Sequence, residues 1–246
     1  MKVCITTVGS KGPEDESKNE GRLKAGKLAM SKAKSLGADI LVLPAGFIVG
    51  NDFKSRQQIA DMLIDEARSL ELAVIFGVDD NSWFQAFGYA WSPVDKMAYS
   101  WEERSSTRRW NKRNEQTIAL TDDEWEAKLE SYDDVRLLAT EGGLVGVLLC
   151  GELFNERIRN ALIKSSPNPK IVVDLIHRGH GFRSAGAMKK LCHHGIASAC
   201  SAHVQKDDAM KRCYIPGKGN EGNVSTREYE RIVEGPPRIE LKLFVI

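Results

Sequence analysis

The sequence lacks the features that mark several classes of protein. None of its five cysteines forms a CxxC pair, so neither a zinc ribbon nor a thioredoxin-type motif is indicated. No stretch approaches the roughly 20 consecutive apolar residues that a membrane-spanning helix requires. The apolar run at the amino terminus is too short for the core of a signal peptide. Reduced thiols are the simplest interpretation, and together these absences predict a cytoplasmic protein without a membrane partner.

The sequence also lacks an excess of charge of either sign. Its 35 Lys and Arg residues nearly balance 34 Asp and Glu residues, so the formal net charge is +1. Proteins that bind polyanions usually carry a clear basic excess. We therefore predict no nucleic-acid partner, although residues 104–113 contain five cations and one tryptophan. No Pro/Ser-rich linker or internal repeat divides the chain, which favours one domain over residues 1–246.

Metal and cofactor signatures are missing as well. Histidine and cysteine cluster late in the chain, but no set among them has a recognised zinc spacing. The cluster consists of His177, His180, Cys192, His193, His194, Cys200 and His203. The segment His177–His180 contains Gly179 and is predicted to be a loop. We predict neither a metal nor a cofactor.

What the sequence does contain is an alternation of buried strands with amphipathic helices. The apolar runs Ile40–Leu43 and Leu144–Leu149 are typical of buried strands, and Leu23–Leu36 has helical periodicity. Phe84–Ser92 and Lys96–Trp101 are predicted to form a hairpin. The other predicted strands are Val3–Val8, Leu72–Val78, Ile171–Ile176, Ile196–Ala202 and Arg238–Val245, and the other predicted helices are Ile59–Leu70, Asp122–Ser131, Phe154–Ser165 and Ala185–His193. This alternation indicates a layered α/β fold.

Cys150 is the most informative single residue. It directly follows the strand Leu144–Leu149 and precedes a predicted helix. Such an elbow presents a side chain at the carboxyl end of a sheet, where α/β folds bind ligands. A thiolate there would be activated by a neighbouring cation, a general base or the helix amino terminus. The alternative is an ordinary buried cysteine of the core.

The sequence around Cys150 resembles a known nucleophile segment. Gly146–Leu162 is similar to that of the nitrilase, or carbon–nitrogen hydrolase, superfamily, with Cys150 at the nucleophile and Glu152 at a following acid. Two earlier blocks occur in the expected order. Ala38–Pro44 resembles the first motif of that family, and Phe76–Lys112 resembles the hairpin that leads to its lysine, which falls at Lys112.

The resemblance implies a four-layer α-β-β-α sandwich that assembles as a homodimer. It also implies a thiol-dependent hydrolase that cleaves a small amide or nitrile C–N bond. In that mechanism a glutamate deprotonates the thiol, the thiolate attacks carbon, and a lysine stabilises the oxyanion. The implied catalytic residues are Cys150 and Lys112, and the implied substrate-pocket residues are Glu152, His177, His180 and Ala45. Relatives act on aliphatic amides, ω-amides, ureido acids or nitriles, so the substrate stays open.

One position departs from the family pattern. Ala45 follows Pro44 where the family has its glutamate, and alanine cannot accept a proton. Three explanations stand: a non-catalytic relative with a ligand-binding or structural role, a substitute carboxylate, or an engineered variant. The candidate substitutes are Glu152, which could instead orient the backbone, and Glu103, Glu115, Glu124 and Glu126. Arg104, Arg108 and Arg109 are alternatives to Lys112 as the cation.

Overall fold

The fold was analysed in a computed structural model of the chain. The structure describes residues 1–9, 16–79, 86–105, 108–111, 116–178, 182–203, 213–216, 228–231 and 238–246. Within these ranges the helices are α1 (Asn19–Ser35), α2 (Phe53–Ser69), α3 (Asp122–Glu130), α4 (Glu156–Lys164) and α5 (Phe182–His193). The strands are β1 (Lys2–Gly9), β2 (Ile40–Val42), β3 (Ile48–Val49), β4 (Ala73–Asp79), β5 (Phe87–Ser92), β6 (Met97–Glu102), β7 (Arg108–Asn111), β8 (Gln116–Ala119), β9 (Leu137–Thr140), β10 (Gly143–Leu149), β11 (Ile171–Arg178), β12 (Ala197–His203), β13 (Cys213–Tyr214), β14 (Glu228–Arg231) and β15 (Arg238–Val245).

Strand β1 joins two halves of a large sheet. Along its whole length it pairs antiparallel with β15 on one edge. Its other edge is shared, because β2 pairs with Val3–Ile5 and β12 pairs further along with Thr7 and Val8. The first sheet therefore runs β6-β5-β4-β2-β1, and the second runs β12-β11-β10-β9.

The two sheets stack face to face between two layers of helices. The side chains follow the two-residue period of strands, so Ile40 and Val42 face the second sheet while Leu41 faces the helices. One hydrophobic cluster fills the space between the sheets, with Ile75 and Val147 on opposite sides. A second cluster lies between the first sheet and α1 and α2, and a third lies between the second sheet and α4 and α5. These three interfaces define four layers, and the predicted α-β-β-α sandwich is confirmed.

Several helices begin where the side chains supply caps. Asp52 accepts a hydrogen bond from the Ser55 amide at the start of α2, and Asn155 caps α4 in a similar way. Helix α2 thus begins six residues before the predicted start at Ile59, because the capping chemistry precedes the apolar periodicity. Six strands lie outside the predicted elements, since each is at most four residues long and too short to give a recognisable pattern: β3, β7, β8, β9, β13 and β14.

The topology brings the carboxyl ends of the parallel strands to one edge. Strands β2 and β4 are parallel in the first sheet, and β10, β11 and β12 are parallel in the second. The residues that end or directly follow these strands are therefore grouped. Ligands bind at this position in open α/β sheets.

Candidate functional site

Cys150 lies at a sharp turn between β10 and a short 3-10 helix over Cys150–Phe154. Its φ angle is +48°, in the left-handed region that residues other than glycine seldom adopt. A strained backbone of this kind persists only where the surrounding structure holds it in place, and such residues are concentrated at functional sites. The turn leaves the thiol half-buried at the carboxyl end of the strand, as the elbow in the sequence predicts.

His177 lies beside this thiol on the neighbouring strand. Leu149 of β10 pairs with Leu175 of β11, which places the residues that follow the two strands next to each other. The Cys150 Sγ and His177 Nδ1 atoms are 3.3 Å apart, within hydrogen-bond distance for sulfur. The pairing of β11 with β12 shifts register between Ile176 and Arg178, and an irregularity of this kind re-aims a side chain. The prediction that His177 begins a loop is wrong, because His177 and Arg178 belong to β11.

Asp79 completes a chain of three side chains. It is the last residue of β4 and is fully buried, and its Oδ2 atom pairs with Nε2 of His177. Because a carboxylate only accepts, this contact places a proton on Nε2 and leaves Nδ1 to accept the proton of the thiol. Asp79 is not among the site residues predicted from the sequence. The available signal was an acid that ends the buried run Ala73–Asp79, the same placement that drew attention to Cys150.

Opposing effects set the protonation of the pair. Burial disfavours the imidazolium, but the Asp79 carboxylate and the Cys150 contact outweigh it and raise the pKa of His177 well above its usual value. Burial raises the pKa of the Cys150 thiol, and the hydrogen bond to His177 opposes that rise. The proton lost by the thiol thus has a strong acceptor 3.3 Å away.

Glu152 supports the elbow from inside the protein. Its side chain is fully buried, and its Oε1 atom accepts from the Arg104 amide at 2.7 Å and from Arg104 Nε at 3.1 Å. Its Oε2 atom accepts from Arg136 Nη1 at 3.0 Å and from the Leu149 amide at 3.2 Å. These contacts fix the backbone on both sides of the site and support the alternative that Glu152 orients the backbone. Its substrate contact stays a prediction.

Glu103 approaches the Cys150 elbow from the first sheet. It directly follows β6, and its Oε1 atom accepts from the Gly151 amide at 3.0 Å and from the Ser105 hydroxyl. A Cβ atom on Gly151 would lie 2.8 Å from this same oxygen, so glycine permits the approach. Burial raises the pKa of Glu103, and Glu152 adds to the rise while the hydroxyl opposes it. Of the predicted substitute acids, Glu124 instead caps α3, Glu126 is exposed, and Glu115 lies outside the described residues.

Ala45 lies in the turn after β2 and is completely buried between the sheets. Its carbonyl oxygen is 2.9 Å from Nε2 of His203, the last residue of β12. Burial, with nearby Arg22 and His177, lowers the pKa of His203 to about 3, so this imidazole is neutral and donates to the carbonyl. A Cβ atom on Gly77 would lie 2.8 Å from Gly46 N, so the turn packs tightly against β4.

Comparisons with solved structures cover the whole length of the chain. A cysteine-to-alanine variant of the Nesterenkonia AN1 amidase from the nitrilase superfamily matches with a TM-score of 0.61 and 12% identity, over 99% of this chain and 90% of that one. A double mutant of the same amidase in complex with acrylamide matches with a TM-score of 0.59 and 12% identity, over 100% and 90% of the two chains. The chain has the nitrilase-superfamily fold.

A third amidase structure agrees, and comparisons of sequence alone add nothing. A variant of the Nesterenkonia enzyme that carries acrylamide added at its active-site cysteine has a TM-score of 0.57 and 14% identity, over 82% of this chain and 78% of that one. No family model matches the sequence, and no curated protein matches it. At such low identity the likeness establishes the nitrilase fold and not the activity.

Within the nitrilase fold, the structure brings only some of the predicted site residues together. Cys150, His177 and Ala45 all lie at the common edge of the strands, and Glu152 lies directly beneath it. Lys112 and His180 lie outside the described residues, as do the side chains of Arg108 and Arg109. Arg104 is bound to Glu152. Neither a group of side chains suited to a metal ion nor a helix able to cross a membrane occurs in the part of the chain that the structure describes.

Proposed function

We propose that this protein is a thiol-dependent hydrolase that cleaves a C–N bond of a small amide or nitrile, with Cys150 as the nucleophile. The observation that carries the proposal is the chain of contacts from Cys150 Sγ to His177 Nδ1 at 3.3 Å and from His177 Nε2 to Asp79. A nucleophile, a base within hydrogen-bond reach and a group that orients the base form a recurrent arrangement for covalent catalysis. In this proposal His177 acts as the general base in place of the family's glutamate, whose position Ala45 occupies.

The first half of the reaction forms an acyl-enzyme. Sγ forms a bond to the carbonyl carbon of an amide while the thiol proton passes to Nδ1 of His177, and the π electron pair moves to the oxygen. The tetrahedral species then collapses, the C–N bond breaks, and the leaving nitrogen takes the proton from Nδ1. Asp79 stabilises the imidazolium and holds its orientation through Nε2.

The second half releases the acid. Water attacks the thioester carbon and gives a proton to Nδ1 of His177, the C–S bond breaks, and the proton returns to sulfur. We further propose that Lys112 stabilises the oxyanion in both halves, as the resemblance implies. The titles of the neighbours that describe acrylamide at an amidase active site support a small amide as the substrate class.

The test is hydrolysis of a panel of small amides and nitriles by the purified protein, with the acyl-enzyme detected by intact mass. We expect Cys150→Ser to abolish turnover and the mass increase. Cys192→Ser is the matched control, because Cys192 is also half-buried but lies on α5. Turnover that survives Cys150→Ser unchanged would exclude Cys150 as the nucleophile, and Lys112→Met tests the oxyanion role separately.

A non-catalytic, ligand-binding relative is the alternative function. Two observations favour it: Ala45 cannot accept a proton, and burial raises the pKa of the Cys150 thiol. This alternative predicts an unreactive Cys150 and no turnover, and Ala45→Glu would then increase neither the thiol reactivity nor the turnover.

The homodimer and the cytoplasmic location also stay predictions. Light scattering on the purified protein measures the oligomeric state.

A further inference from the structure

Glu103 contacts the elbow that carries Cys150. This side chain is only 7% exposed, and its Oε1 atom is fixed by the amide of Gly151, the residue after the nucleophile. The Ser105 hydroxyl donates to the same oxygen. A carboxylate held by a backbone amide at this position has a defined place beside the reacting sulfur.

No cation among the described side chains is paired with the Glu103 carboxylate. The nearest arginine charges go elsewhere: Arg104 and Arg136 both bind Glu152. Arg104 Nη1 also donates to the Ser131 and Asp134 carbonyls, each at 2.7 Å. These two arginines therefore neutralise Glu152 beneath the elbow, and neither of them pairs with Glu103.

A second carboxylate adds to this negative field. Asp79 pairs with His177 through Oδ2, while its buried Oδ1 atom has no hydrogen-bond donor within the described ranges. Asp79 is thus paired with His177, whereas no described cation is paired with Glu103. Charges of one sign in a cleft with low-dielectric walls favour molecules of the opposite sign.

We propose that Glu103 is the residue that sets the charge preference of this site, favouring amides that carry an ammonium or other positive group near the scissile bond and disfavouring those that carry a carboxylate. This inference rests on the proposed function and narrows its substrate class. Of the substrates known for nitrilase relatives, ureido acids and ω-amides with a free carboxylate are poor candidates.

The experiment uses three thiol reagents that carry different charges. Aminoethyl, methyl and sulfonatoethyl methanethiosulfonate are cationic, neutral and anionic, and each reacts with a thiolate to give a mixed disulfide and methanesulfinate. The rate at Cys150 is followed by mass spectrometry of the peptide that contains it. The ratio of the cationic to the anionic rate cancels the thiolate fraction and reports the local charge.

We expect Glu103→Gln to lower the ratio of the cationic to the anionic rate about tenfold, because one short-range negative charge is removed. Glu103→Asp keeps the charge and must keep most of the preference. Glu102→Gln is the matched control, because Glu102 is the exposed neighbour and its ratio must stay unchanged. If Glu103→Gln fails to fold, Glu103→Ala is the second variant, and its ratio must be lowered to a similar extent.

Two results overturn the inference in distinguishable ways. A reactive Cys150 whose ratio is the same in the unsubstituted protein and in the Glu103→Gln or Glu103→Ala variant contradicts the role of Glu103 and leaves the proposed function intact. A Cys150 that reacts with none of the three reagents contradicts the proposed function and this inference with it.

Discussion

The two sheets contribute to the site in different ways. The second sheet supplies Cys150 and His177 from adjacent parallel strands, with Cys150 at the turn that follows β10. The first sheet supplies Ala45 at the position of the expected acid, with carboxylates from two other strands, Asp79 and Glu103. A fold can thus keep the place of a nucleophile while the groups around it come from different strands, because function depends on the site and not on the fold alone.

The largest expected effect concerns the support beneath the nucleophile. Glu152→Gln removes the charge that Arg104 and Arg136 share, and breaking such a buried network costs about 3–5 kcal/mol of the free energy of unfolding. Denaturant unfolding measures this loss. The control is Glu156→Gln at the exposed start of α4, where a loss below about 1 kcal/mol is expected. Equal losses in the two variants would show that the second sheet does not depend on Glu152.

The next effect tests what the first sheet contributes to catalysis. Asp79→Asn keeps the shape but removes the charge that stabilises protonated His177, so kcat on a substrate of the panel is expected to fall at least about a hundredfold. Steady-state kinetics measures it, with exposed Asp61→Asn of α2 as the control. A kcat that stays within twofold would mean that the second sheet acts without Asp79.

A smaller effect tests the packing of the first sheet under the Ala45 turn. Gly77→Ala would place a methyl group 2.8 Å from Gly46 N and Pro44 O, and such overpacking costs about 1–3 kcal/mol. Thermal unfolding measures the loss. Gly186→Ala is the counterpart in α5, where a Cβ atom meets nothing within 4 Å, and it is expected to stabilise by about 1 kcal/mol. If both substitutions stabilised the protein, or both destabilised it, this contrast would be contradicted.

The smallest effect concerns the second sheet and pH. Asp174 of β11 is buried without a hydrogen-bond partner among the described residues, and burial raises its pKa well above 3.8. The folded state then binds more protons than the unfolded state, so this residue destabilises the protein increasingly as pH rises above its unfolded pKa. Asp174→Asn should raise the free energy of unfolding by at least about 1 kcal/mol at neutral pH and little near pH 3. The same gain at both pH values would contradict this origin.

Sequence patterns predicted the layers because burial imposes them. A strand buried on both faces, such as β10, must be apolar throughout, so its extent can be read from the apolar run. The end of that run places Cys150 in the turn directly after the strand. The resemblance added the four-layer arrangement, which apolar periodicity alone does not determine.

The composition of the site was harder to predict because it depends on contacts between distant strands. Asp79 and His177 are 98 residues apart, and the resemblance assigns no role to Asp79 and only a substrate contact to His177. His177 was assigned to a loop because of the glycine two residues later, although strand pairing extends through Arg178. Glu103 was one of several acids in a polar segment, and only its contact with Gly151 distinguishes it.

The most direct test of the claim that Cys150 shares its proton with His177 is the pH dependence of Cys150 alkylation by iodoacetamide. Burial raises the pKa of the Cys150 thiol, and the contact with His177 opposes that rise. His177→Asn is therefore predicted to shift the alkylation profile to higher pH and to slow alkylation at neutral pH at least about tenfold. His193→Asn, at the exposed end of α5, is the control and should leave the profile unchanged. Superimposable profiles for His177→Asn and the unsubstituted protein would contradict the claim.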